Sequence, residues 1–134
     1  MATYLLSGQF VTSGVCLESA DGSYTARIQF ISMAPDPEML SLVVVHGTTI
    51  VWQSPPAPMA EAGGLFLILR DTAALELWAG TPANPYKVGW SLQPPPNVGF
   101  GPFFAELDTT PAFKVHAGTP SQPGALISQY ALPS

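Results

Sequence analysis

Short apolar runs separated by turn residues fill this chain, and none is long. The clearest is "LSLVVVHGTTIVWQS", in which a β-branched run from Leu40 to Val45 meets a turn at His46-Gly47 and returns from Thr49 to Trp52. That grammar predicts a hairpin. "GGLFLILRDTAALELWAGTP" repeats it: Leu65 to Arg70 runs out, Asp71 to Ala73 turns, and Leu75 to Trp78 returns. "PFFAELDTTPAFKVHAGTP" does so again, with Phe103 to Leu107, a turn at Asp108 to Pro111, and Phe113 to His116. Taken alone, the second segment also suits a helix, since Leu, Arg, Ala and Glu are good helix formers. Its β-like, turn-rich neighbours favour the hairpin.

The ends of the last two hairpins are nearly one phrase. "LELWAGTP" ends at Pro82 and "FKVHAGTP" at Pro120, 38 residues later, with four identical residues and Trp78 exchanged for His116. Hairpins at about 40–52, 65–78 and 103–116 therefore read as an internal repeat. Further strands are expected at Tyr4–Leu6, Val15–Glu18, Tyr24–Phe30 and Ala125–Leu132, with turns at Ser7–Gln9 and Asp21-Gly22. The Pro-rich stretches "SPPAPMAEAGG", "TPANPY" and "LQPPPNVGFGP" are expected to be loops, because proline cannot donate to a ladder. No helix is required. The expected fold is all-β: one domain over residues 1–134, with three related antiparallel sheets.

Composition narrows the function. Charged residues make up 10% of the chain and the net charge is -5, with only Arg27, Arg70, Lys87 and Lys114 basic, so nucleic acid and anionic membrane are poor partners. No apolar run approaches the ~18 residues of a membrane span, so no membrane insertion is expected. Cys16 is alone, which excludes an internal disulfide, and "MATYLLSGQF" lacks the basic start of a signal peptide. Together these lean towards a cytoplasmic protein.

Catalytic chemistry is hard to assemble from these residues. His46 and His116 are the only histidines; the first falls in a turn and the second aligns with a tryptophan, as a semi-buried core residue would. One Cys and two distant His give no metal-type spacing, and Cys16 beside Leu17 reads as a small buried hydrophobe. The carboxylates of "ELDTT" read as a turn, with Asp108 capping it. No enzyme, cofactor or metal is expected. In "NPYKVGW", Trp90 has two readings: a platform for the C–H face of a sugar, or a plug at a corner between sheets.

The chain also resembles a known family. "LLSGQFVTSGVCLESADGSYTARIQ", from Leu5 to Gln29, is similar to the opening phrase of the bulb-type (monocot) mannose-binding lectins. The hairpin ends "VWQSP", "LWAGTP" and "VHAGTP" are similar to that family's W-A-(S/T)-N-T endings. The resemblance spans Tyr4 to Thr119. It implies a β-prism II fold of three pseudo-symmetric sheets, with Trp52 and Trp78 packed at the centre and His116 as a substituted core position. It implies a carbohydrate-binding, non-catalytic lectin whose partner is a mannose-type glycan or glycoprotein, and a homodimer formed through a C-terminal strand such as "ALISQYAL". The rival expectation is the same scaffold without sugar affinity, serving as a protein-interaction or assembly module.

The family's sugar line, Q-x-D-x-N-x-V-x-Y, sets amide and carboxylate groups against sugar hydroxyls. Here it falls near Pro37, Met39, Ser41, Val43 and Val45, where Val43 matches and Ser41 can hydrogen-bond. In the other repeats it falls near Gly64, Phe66, Ile68 and Arg70, and near Phe103, Ala105, Leu107 and Thr109. Gln29 and Asp36 are candidate displaced remnants around the "FISMAPDPE" insertion. The candidate carbohydrate contacts are thus Gln29, Asp36, Ser41, Val43 and Trp90. Because Leu65, Leu67 and Leu69 alternate with Phe66 and Ile68, the outer face of that strand should need cover from a loop or another subunit.

Overall fold

In the computed structural model, residues 3–32 and 37–133 are described, Glu61 by its backbone alone. The chain runs β1 (Tyr4–Leu6), β2 (Phe10–Val11), β3 (Gly14–Glu18), β4 (Tyr24–Ser32), β5 (Met39–His46), β6 (Thr49–Gln53), β7 (Ala57–Pro58), α1 (Met59–Ala62), β8 (Leu65–Leu69), β9 (Leu75–Gly80), β10 (Pro85–Leu92), β11 (Phe103–Asp108), β12 (Ala112–Thr119) and β13 (Gln122–Ala131). The second repeat is a hairpin, and its helical alternative does not occur.

Four elements differ from the sequence reading, of which β2 and β7 are two-residue strands where none was expected, the latter inside "SPPAPMAEAGG". Of the expected loop "TPANPY" only Pro85 and Tyr86 are strand: they open β10, which continues through residues given no strand in the sequence reading and tolerates Pro85 because that proline lies at the edge of its sheet. One helical turn, α1, forms where none was expected. Met-Ala-Glu-Ala favours it, and Gly63 ends it at φ 75, its N–H donating to the Met59 carbonyl. Among the described residues no helix is long and apolar enough to cross a membrane.

The strands form three antiparallel sheets. The first is ordered β3-β4-β5-β6, with β7 also on β5; the second is β2-β8-β9-β10; the third is β1-β11-β12-β13. Each sheet thus takes one N-terminal strand; the second and third add three later strands, and the first adds β4, β5, β6 and β7.

The sequence repeat is a repeat of register. In the second sheet Gly80 faces Pro85, Trp78 faces Val88, Leu77 faces Trp90, and Leu75 faces Leu92. In the third sheet the same pairs recur 38 residues on: Gly118 with Pro123, His116 with Leu126, Val115 with Ser128, and Phe113 with Tyr130. Both β-bulges recur as well. In the first sheet Val44 faces Trp52 and, across a bulge, Val45 faces Ile50. The hairpin β5–β6 therefore corresponds to β9–β10, not to β8–β9 as the aligned tryptophans suggested. The tight turn after His46 leaves no signal of this shift in the sequence.

The core lies between the sheets, drawing Leu17, Leu42 and Val44 from the first, Leu67, Leu69 and Leu77 from the second, and Leu5, Phe113 and Val115 from the third. Against this core Trp52 of β6 meets Trp90 of β10 (ring centroids 5.4 Å apart), Phe113 of β12 (5.9 Å) and Tyr130 of β13 (5.8 Å). One edge strand from every sheet contributes a ring, so this contact ties the three sheets together.

Candidate functional site

The expected sugar contacts do not form a site. Gln29 faces Ser41 across β4–β5, and Arg27 faces Val43. Ser41 and Val43 are both 0% exposed. The Ser41 hydroxyl is committed to the Ser54 carbonyl (2.8 Å) and the Ser54 hydroxyl (3.0 Å), so it ties the β6–β7 connection to β5 and cannot reach a ligand. Gln29 is half-buried, and Asp36 lies outside the described residues. Trp90 takes the plug role: it packs on Trp52, Phe113 and Tyr130 against the core.

Two further expectations need correction. Trp52 packs against the core, half-buried, and not at its centre, and Trp78 and His116 do not join it there. They lie outside the core cluster, because each faces Phe66 or Phe104, residues on the outward side of β8 and β11. The lines counted for the second and third repeats fall on β8 and β11, strands that correspond to β4 rather than β5. Phe103, Ala105 and Leu107 there belong to the core.

The outward faces of the second and third sheets carry the polar chemistry. On the second, the Glu76 carboxylate accepts from Arg70 Nε (2.8 Å), Trp78 Nε1 (3.0 Å) and Gln93 Nε2 (3.4 Å). The guanidinium of Arg70 lies 5.5 Å from the Trp78 ring centre. Burial pushes the Glu76 carboxyl up, but these three donors and the charge of Arg70 outweigh it and hold the group below its usual range. The face beneath needs neither a loop nor a subunit over Phe66. That ring is buried by Trp78, its cross-strand partner, and by Phe10 of β2, edge-on at 6.4 Å.

On the third sheet Lys114 pairs with Asp108, and His116 Nε2 bonds Glu106 Oε2 while its ring stacks on Phe104 at 4.9 Å. The Lys114 hydrogen bond, against some desolvation, holds Asp108 below the usual carboxylate range. Register aligns Arg70 with Asp108 and Glu76 with Lys114, so the two sheets carry the same ion pair with its charges exchanged. Sequence reasoning missed this group. Its one signal was the exchange of Glu76 for Lys114 inside the repeated phrase, matched by Arg70 for Asp108.

Chemically, these faces offer fixed donors, carboxylate acceptors and an indole, which suits reversible recognition of a polar ligand. Cys16 supplies no nucleophile: it is fully buried, and desolvation pushes its thiol up to about 12. His46 stacks on Tyr24 at 4.3 Å at its turn. No protein-family model matches the chain, and no curated protein matches it by sequence.

Proposed function

We propose that this chain is a non-catalytic glycan-recognition module on the β-prism II scaffold of the bulb-type lectins, with its sugar contacts moved to the outer face of the second sheet. The prism reading is supported by the recurrence of register at 38 residues and by the allotment of one N-terminal strand to each sheet. The functional reading rests on one observation: the Trp78 indole, half-exposed, is fixed beside a carboxylate that also holds Arg70 and Gln93. A mannose-type or related glycan matches this chemistry, with hydroxyls meeting the polar groups and C–H bonds meeting the indole face. Dimerisation belongs to the same proposal. β13 is a ten-residue edge strand without a charged side chain, the kind of edge that proteins otherwise protect.

A second reading, a protein-interaction or assembly module, is favoured by Ile50, Val88 and Leu126. These occupy one register position on the last strand of each sheet, and all three are exposed. A broad glycan array with free-sugar competition separates the two. Hits that are competed by free sugar and lost in Trp78→Ala and Glu76→Ala support the lectin reading, and a blank array at high protein concentration sinks it.

A further inference from the structure

A different feature lies at the corner where the chain passes from the third sheet to the second. The turn at Ser7–Gln9 is pinned to both: Ser7 N donates to the Phe103 carbonyl (3.0 Å), and Gly8 N to the Leu69 carbonyl (2.7 Å). Along this corner runs a groove of about 430 Å³ lined by Tyr4, Leu5, Gln9, Phe10 and Val11. A second hollow of about 480 Å³ shares Tyr4 and Gln9 and is lined further by Thr3, Leu6 and Pro120. Both volumes fall in the ~300–1,000 Å³ range of small-ligand sites.

The two aromatic walls are related by the repeat. Tyr4 faces Glu106 and Phe10 faces Ile68, positions 38 residues apart. Each ring is exposed, by 37% and 49%, yet each is held edge-on by an inner phenylalanine: Tyr4 by Phe104 at 5.5 Å and Phe10 by Phe66 at 6.4 Å. Between them the Gln9 side-chain Oε1 accepts from Leu6 N (2.9 Å), which fixes the side chain. Its amide nitrogen has no protein partner among the described residues. No charged side chain lines either hollow among the described residues.

Two oriented aromatic platforms, one fixed amide donor and no charge select a neutral ligand with C–H faces and hydroxyls. We infer that this groove is a saccharide subsite, separate from the Trp78 patch, that takes a neutral pyranose. The apolar face of the sugar lies on Tyr4 or Phe10, and a ring hydroxyl accepts from the Gln9 amide. The inference rests on the glycan-recognition reading. With two contact regions on one chain, an extended oligosaccharide or a clustered glycan gains from joint engagement.

The test is an amide NMR titration of the full chain with methyl α-mannoside, methyl β-galactoside, methyl β-glucoside and α-1,6-mannobiose. The Gln9 side-chain NH₂ and the Phe10 amide report the groove, and the Trp78 indole N–H reports the sheet face. The expected result is saturable movement of the Gln9 and Phe10 signals, weakened at least tenfold in Phe10→Ala and in Gln9→Ala, with Trp78→Ala leaving it intact. Tyr4→Phe keeps the platform and isolates the hydroxyl. Movement of Trp78 with a silent groove overturns the subsite and leaves the sheet-face reading standing. Movement in the groove alone upholds the subsite and removes the sheet face. Silence at both overturns the subsite as a saccharide site, as does movement of the groove signals by a proline-rich peptide but by none of the sugars.

Discussion

Trp78 and His116 hold the same position in two sheets. Each sits between a phenylalanine and an aliphatic residue across its strand, Phe66 and Val88 for the first, Phe104 and Leu126 for the second. Each also bonds a carboxylate on its own sheet face, Glu76 for Trp78 and Glu106 for His116. The backbone position is retained while the chemistry changes from an indole donor to an imidazole. The three-sheet fold thus offers different polar surfaces on equivalent faces, so any ligand is expected to favour one sheet over another.

Acid should destabilise the fold through Glu76 and Asp108. Both are held below their usual range in the folded state, so their contribution is complete above the unfolded values of about 4 and fades as pH falls through the lower folded ones. Asp21, held down by the Ser23 amide and hydroxyl, acts in the same direction. Urea midpoints should be level from pH 7 to about 5 and decline below about 4. The Glu76→Gln, Asp108→Asn double variant should decline less steeply; an unchanged slope would assign the acid limit elsewhere.

Gly118 and Gly80 should resist substitution. Both have positive φ, 87 and 116, and a Cβ on Gly118 would lie 2.4 Å from the Gln122 carbonyl oxygen, one on Gly80 2.7 Å from that of Asn84. Backbone cannot yield cheaply, so Gly118→Ala should cost about 2–4 kcal/mol by chemical denaturation. Gly47 also has positive φ but meets nothing within 4 Å, and Gly47→Ala should cost about 1 kcal/mol. Equal losses at the two sites would mean that the close approach at Gly118 is relaxed in solution.

Trp90→Ala should unfold much of the protein's stability margin. It removes the ring that contacts Trp52, Phe113 and Tyr130 at the meeting of the sheets, at an expected cost of about 3–5 kcal/mol. Trp90→Phe should recover part of this. Retention of full stability in Trp90→Ala, with loss of glycan binding alone, would return this residue to the role of a sugar platform.

Ser128→Ala should stabilise. Register makes Ser128 the third counterpart of Trp52 and Trp90, and its hydroxyl is buried with no partner among the described residues. Removing an unsatisfied buried hydroxyl should gain about 1 kcal/mol in urea unfolding. A loss instead would reveal an internal water bound there.

The sequence alone determined the strands and turns of the three hairpins, because β-branched runs punctuated by Gly, Asp and Pro specify extended and turn backbone locally. It also determined the 38-residue period, which the pairing of β9–β10 and β12–β13 follows residue by residue. Tertiary structure decided which side of each strand is inside. In "LFLILR" both faces are apolar, so a period of two marks the faces without ranking them. Trp78 alternates outward between the core residues Leu77 and Ala79 of β9, whereas Trp52 lies on β6 and faces the core residue Val44, so the two tryptophans that the sequence aligned lie on non-equivalent strands and opposite faces. The burial of Ser41 followed from its contact with Ser54, thirteen residues away on the far side of a hairpin. The polar group around Glu76 likewise draws on Gln93, just beyond the end of β10, a strand hidden behind prolines. Local pattern fixes backbone conformation, whereas a binding face needs side chains from strands that only the assembled sheets bring together.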